Sequence, residues 1–383
     1  MRIDKSRISS TQFMFIAACF LQSSSLLTAF LAAVTKHDSW LVVIFGFVAC
    51  LPLVWVLAAL MNRFPDKNLV QILQEVYGPV TGKILSVFYV WFFITLTSLN
   101  AMDLSNLAKL TIMDETPNAV LLVTCMLVAT LAVRHGIKVT ARFAPLFVVV
   151  AFAILAVSYV LLLGEFKLEN FLPMFDQPAI KYVQGTHIIA TIPFGELVAM
   201  MMLTPNVDLR GKRVTKYLMG GFIMGGFSLL IIKLRDIAVL GNMLHLFSVP
   251  SLVVLRLVNL GEALSRVEIL FTIALIMLLF FKISILYYIS VLTISQLMNI
   301  KAYRHIVLAA GALVITYGLS LYITAVQHAS FAQTTAPIVW SLFEFVIPLA
   351  TLLIAMCRKL GKRPGMKNRA APALENRGVY HEN

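Results

Sequence analysis

CFLQSSSLLTAF, Cys19 to Phe30, and TIPFGELV, Thr191 to Val198, are the two stretches on which the fold of this chain turns. Each interrupts an apolar run long enough to cross a bilayer. The first sets Gln22, Ser23, Ser24 and Ser25 in a row at membrane depth; the second sets Pro193, Gly195 and Glu196 close together. A helix should break at Pro193 and Gly195, because proline removes a backbone hydrogen bond and glycine relaxes the chain. Irregular backbone at that depth is tolerated only under protein cover or along a water-filled cavity.

The surrounding composition is that of an integral membrane protein. Of 383 residues, 60% are hydrophobic and 13% charged, about half the charged share of roughly 25% found in soluble domains. The net charge of +13 sits in short basic segments between apolar runs. Topology and anionic lipid explain such segments better than nucleic acid does. Four cysteines are scattered singly, with no C-x-x-C, so neither a disulfide framework nor a metal site is indicated. The start, MRIDKSR followed by a long apolar run, reads as a first permanent span rather than a secretory signal.

About 20 apolar residues cross the hydrocarbon core as a helix. Ten stretches qualify: Ile8–Thr35, Ser39–Asn62, Ile84–Met102, Thr116–Val133, Phe143–Gly164, Tyr182–Pro205, Tyr217–Ile232, Ile269–Met298, His305–Val326 and Ala336–Cys357. Residues 1–357 therefore form one all-α polytopic domain, and 358–383 a basic tail, expected to be disordered. That tail either lies on anionic headgroups or anchors topology. Ile237–Leu255 is apolar but carries Gly241, Asn242, His245 and Pro250, and is expected as a surface or re-entrant segment. In Pro65–Lys83, the spacing of Leu69, Ile72, Val76 and Val80 predicts a short amphipathic helix on the inner surface. With the amino terminus inside, inner segments hold 22 Lys and Arg against 8 outside, which favours both termini on the cytoplasmic side.

The two interruptions lie five spans apart, in the first and sixth spans. Matching breaks in two five-helix halves point to a 5+5 inverted-repeat transporter fold of the LeuT type, in which those helices unwind near the midplane and bind a solute. The halves share no sequence similarity; only the placement of the breaks matches. The alternative is that Gln22 and the serines join helices, as small polar residues commonly do in membranes.

Four ionisable residues interrupt the spans: Asp103, Glu196, Lys282 and Glu344. Each costs about 2.5 kcal/mol or more at the centre of a lipid-exposed helix, so they should face inward or pair. Lys282 either takes the place of a coupling cation near the first span or neutralises Glu196. Asp103 either joins the site or snorkels at the outer interface, while Asn100, one turn inward, is the better cavity-lining candidate. The expected binding set is thus Gln22, Ser23, Ser24, Ser25, Asn100, Asp103, Ile192, Pro193, Phe194, Gly195, Glu196 and Lys282. No phosphate-binding loop, H-E-x-x-H or local nucleophile motif occurs, so no ATP-driven, metal or catalytic chemistry and no cofactor is expected.

Several segments carry a family likeness. RISSTQFMFI (Arg7–Ile16) resembles the ISxxQ opening of the spore germination permeases, the B subunits of nutrient germinant receptors. PDKNLVQILQEVYGPVTGKIL, LRDIAVLG, SVPSLVVLRLVNLGEALSRVEILF and the FFKIS around Lys282 are also similar, and Arg266-x-Glu268 is the most specific part. The resemblance covers about residues 8–357. It implies membership of the amino acid–polyamine–organocation superfamily. It also implies a role in the spore inner membrane, binding a germinant such as an amino acid. Partners would be an A subunit, predicted to form the ion channel, and a lipoprotein C subunit. Where that family commonly has a glycine-containing break in the first helix, this chain has QSSS. The combined reading is a receptor subunit that senses a small nutrient between the first, third, sixth, eighth and tenth spans. Its rival is a secondary transporter of amino acids or amines, and a third option is a structural partner without ligand.

Overall fold

Apolar runs become helices here, and their ends are set by local capping. The computed structural model describes residues 7–25, 29–209, 213–257, 267–300, 302–322 and 324–361. α1 (Ser10–Gln22) starts where Ser9 accepts from the Gln12 N–H while the Gln12 side chain accepts from the Ser9 N–H, a reciprocal cap that satisfies two otherwise unpaired donors. A 3-10 turn, Ser23–Ser25, follows. The chain continues through α2 (Ala29–Thr35), α3 (Ser39–Arg63), α4 (Leu69–Tyr77), α5 (Pro79–Thr111), α6 (Asn118–His135), α7 (Ile137–Leu161) and α8 (Ala179–Ile189). α8 leads into a wide turn, Ala190–Phe194, and a tighter coil, Gly195–Asn206. Beyond it come α9 (Val214–Leu240), α10 (Pro250–Arg256), α11 (Val267–Leu297), α12 (Val307–Leu321), α13 (Ala325–Gln333), α14 (Thr335–Ser341) and α15 (Ile347–Cys357). A two-residue parallel pairing, Ile8 with Val207 and Ser9 with Asp208, ties the entry of α1 to the end of the Gly195–Asn206 coil.

Among the described residues, eight helical segments are long and apolar enough to cross a membrane, or nine if α12 and α13 form one bent span. The expected first span includes residues 26–28, which lie outside the described residues, as do Arg266 and residues 362–383. The apolar stretch of Ala179–Asn206 is 94% buried, against 22% for Ile137–Leu161. The Ala179–Asn206 segment therefore lies at the centre of the molecule, and α7 lies at its outside, with Val149, Val157 and Val160 exposed.

α1 packs against α9, α7 and α11. Its approach to α9 is close: a Cβ on Gly225 would sit 2.5 Å from the Leu21 Cβ, and one on Gly221 2.6 Å from the Met14 carbonyl. Small residues at such a seam let two backbones meet where lipid supplies no hydrophobic drive.

Three boundaries differ from expectation. α9 runs past Ile232 to Leu240, so Lys233, Arg235 and Asp236 are buried within a helix rather than lying in an outer loop. Arg235 and Asp236 are tolerated there because they pair at 2.7 Å and Arg235 also donates to Ser158 at 2.9 Å. α4 forms behind an Asn68–Gln71 capping box and buries Leu69, Ile72 and Val76. Val80, however, belongs to α5 and is exposed, because Pro79 at the first position starts a new helix. Ile237–Leu255 is divided between the end of α9, a 3-10 turn at Gly241–Leu246 and α10, and makes no single span.

Candidate functional site

Pro193 sets the local geometry. It has no N–H to donate, and the residue before a proline is pushed toward extended values. Ile192 accordingly has φ −113° and ψ 102°, outside the helical region. The Ala190 carbonyl accepts from the Gly195 N–H and from the Cys50 thiol at 3.3 Å. The whole turn is buried, and Glu196 leaves it toward α11.

Glu196 Oε2 lies 2.5 Å from Nζ of Lys282 on α11, both side chains being buried. The same ammonium donates to Ser24 Oγ at 2.6 Å and sits 4.8 Å from the Phe20 ring centroid, close enough for a cation–π contact. One cation thus joins the end of α1 and the turn after it to the start of the Gly195–Asn206 coil. Both roles considered for Lys282 begin from this contact.

Beside the pair, a cavity of about 10 Å³ is lined by Asn100, Asp103, Ile192, Glu196, His328 and Trp340. That is about the room one water needs. Asp103 is buried, its Oδ1 3.5 Å from Nδ1 of His328, and the His328 ring stacks on Tyr322 with centroids 4.3 Å apart. Asp103 therefore points inward and does not snorkel. Asn100 donates to the Leu96 carbonyl at 2.8 Å. Among the described residues its Oδ1, like Oδ2 of Asp103, has no hydrogen-bond partner.

A family model described as "Spore germination protein" matches residues 7–329. The chain belongs to the spore germination permease family. Spore germination protein KB of Bacillus subtilis (strain 168) is 26% identical over 364 residues, covering 93% of this chain and 96% of that protein. In three dimensions the chain is similar to Mhp1, a nucleobase-cation-symport-1 family transporter with bromovinylhydantoin bound. The TM-score is 0.64 at 13% identity, over 90% of this chain and 80% of that one. MhsT in complex with L-phenylalanine gives 0.63 at 13% identity, over 90% and 98%. Both neighbours have the LeuT-like transporter fold.

In this chain the expected site residues separate. Asn100, Asp103, Ile192 and Glu196 line the one cavity, with Lys282 and Ser24 behind Glu196. Ser23 donates to the Phe20 carbonyl at 2.6 Å. Phe194 packs in an aromatic cluster with Phe47 and Phe222. Pro193 and Gly195 shape the turn and are not among the cavity-lining residues. Gln22 and Ser25 line a different cavity, with Ser228 on α9 and Leu278 on α11.

Two residues outside the expected set belong beside the site. Glu344, on the turn Leu342–Val346 between α14 and α15, is fully buried, and neither oxygen has a hydrogen-bond partner among the described residues. Its carboxyl occupies the space that a Cβ on Gly195 would fill, so the glycine makes room for it. The sequence signal was a charge within an apolar span. His328 gave no comparable signal, because a lone histidine in an outer segment looks like any surface residue. Among the described residues no His, Cys, Asp and Glu group could hold a metal ion.

Proposed function

We propose that this chain is the B subunit of a nutrient germinant receptor and that it binds a small germinant, an amino acid, in a transporter-like site near the membrane midplane. The observation that carries this is the meeting of Asn100, Asp103, Ile192 and Glu196 at one cavity, beside an ion pair that links the ends of two interrupted apolar runs. Family membership supports the germination context, and the LeuT-like neighbours support the position of the site. The finer architecture in this proposal is ten spans in a 5+5 inverted repeat, the first and sixth broken, with both termini on the spore-core side of the inner membrane.

Asp103 and Glu196 offer carboxylates to an α-amino group, and the non-helical backbone at Ile192 serves the germinant's other polar atoms; Ser23 and Ser24 reach it only once the turn after α1 rearranges. Lys282 stands in for a coupling cation. Because the cavity has room for about one water, an amino acid enters only in a more open arrangement. The germinant shifts that equilibrium by its differential affinity for the two arrangements. A-type and C-type partner subunits receive the bias.

The fold likeness to Mhp1 and MhsT favours one rival, secondary transport of amino acids or amines. Proteoliposomes containing this chain alone, offered labelled amino acids, separate the two. Saturable binding without uptake is the expected result. Saturable uptake replaces the receptor reading with the transporter, and an absence of both sinks the amino acid ligand.

A further inference from the structure

The polar run after α1 has a second face, turned away from Glu196. There the 3-10 turn at Ser23–Ser25, α9, α10 and α11 surround a cavity of about 10 Å³ lined by Ser25, Lys233, Asp236, Pro250 and Ser251. It adjoins a larger cavity of about 30 Å³ that Gln22 lines, and the two share Ser25, Phe271 and Leu275 as walls. We propose that this paired cavity is a binding site for a small monovalent anion, separate from the germinant cavity.

The charge count motivates the anion. Lys233, Arg235 and Asp236 are each at most 1% exposed, and together they hold two cations and one carboxylate. That carboxylate is engaged by Arg235 and Ser251. Its Oδ1 accepts from Arg235 Nε at 3.0 Å and Nη2 at 2.7 Å, and its Oδ2 accepts from Ser251 Oγ at 2.5 Å. Arg235 spends its remaining reach on Ser158 and on the face of Phe271, 5.5 Å from the ring centroid. Lys233 has no hydrogen bond or ion pair among the described residues. Among the described residues this trio therefore holds one more cationic side chain than carboxylate, at a depth where an uncompensated ion costs several kcal/mol. A single negative charge beside Lys233 removes that penalty; a second cation would double it.

A second donor lines the adjoining cavity. Gln22 is 2% exposed, and neither its amide nitrogen nor its oxygen has a partner among the described residues. Size sets the ligand class: cavities of about 30 and 10 Å³ have room for one or two water-sized groups. A halide or formate fits that space, whereas a phosphate headgroup or a sugar acid does not. LRDIAVLG supplies Arg235 and Asp236, so this part of the family likeness acquires a chemical role that the germinant cavity does not give it.

The test uses the full-length chain in detergent, with sodium gluconate replaced by sodium chloride or sodium formate at constant ionic strength. A saturable rise in the unfolding midpoint with chloride, formate or both is expected, and the probe that acts identifies the site as one for a halide or for a carboxylate. Lys233→Met should abolish the rise, and Lys109→Met, at an exposed position, should keep it. If Lys233→Met does not fold, Gln22→Leu should instead raise the half-saturating concentration about tenfold, the loss of one hydrogen bond to a charged group. No difference between chloride, formate and gluconate overturns the proposal, as does an undiminished rise in Lys233→Met or an unchanged half-saturation in Gln22→Leu.

Discussion

Lys282 has three partners, and they are unequal. Glu196 is the ionic one, and Ser24 and the Phe20 ring complete the shell. Breaking a buried ion pair from one side costs about 3–5 kcal/mol because the other charge is left unpaired. Lys282→Met should therefore destabilise the protein by about that amount, while Lys282→Met combined with Glu196→Gln should lose much less than the sum of the single changes. Unfolding of the four proteins in one detergent measures the coupling. Single effects that add to within about 0.5 kcal/mol would mean the two groups act independently, and the ion pair would then lose its structural role. At this scale the sequence revealed which residues were costly, since Glu196, Lys282, Asp103 and Glu344 each stand out in apolar surroundings. It did not reveal which way they point. Gln22 and Ser24 are two residues apart, yet one lines the cavity beside α9 and the other meets Lys282. A tight turn reverses direction within a few residues, and no periodicity encodes that.

Helices met through glycine carry the next level of structure. At the α1–α9 seam, added methyl groups on Gly221 and Gly225 would press on Ala17, Met14 and Leu21. Overpacking of this kind costs about 1–3 kcal/mol. Gly221→Ala and Gly225→Ala should each lower the unfolding midpoint, whereas Gly164→Ala should leave it nearly unchanged, because a Cβ there meets nothing within 4 Å. Equal effects at all three positions would show that the seam is not closely packed. Apolar runs identified where the spans lie, since hydropathy reports the lipid contact directly. Their ends were less legible. Lys233 looked like the edge of the membrane because a charge there is normally paired with water. The neighbouring Arg235 instead finds Asp236 on the same helix and Ser158 on α7, contacts that only the packed molecule supplies.

For the whole molecule, the question is which side of the membrane holds the amino terminus. Moving Lys233 and Arg235 from an outer segment into α9 lowers the outer count of basic residues and strengthens the asymmetry that favours an inner amino terminus. The α3–α4 region is also tied to the end of α15. Arg63 donates to the Ala355 carbonyl at 2.8 Å, and Arg358 donates to the Val76 carbonyl at 2.6 Å. The loop after α3 and the end of α15 thus share a face, whichever side of the membrane it lies on. The cysteines provide a native reporter of that face: Cys19, Cys50 and Cys125 are buried and Cys357 is exposed. A membrane-impermeant maleimide should label the protein in inverted vesicles but not in right-side-out ones, and Cys357→Ser should abolish the signal. Labelling confined to right-side-out vesicles would reverse the proposed orientation, with the basic residues around Arg63 and Arg358 then facing away from the spore core.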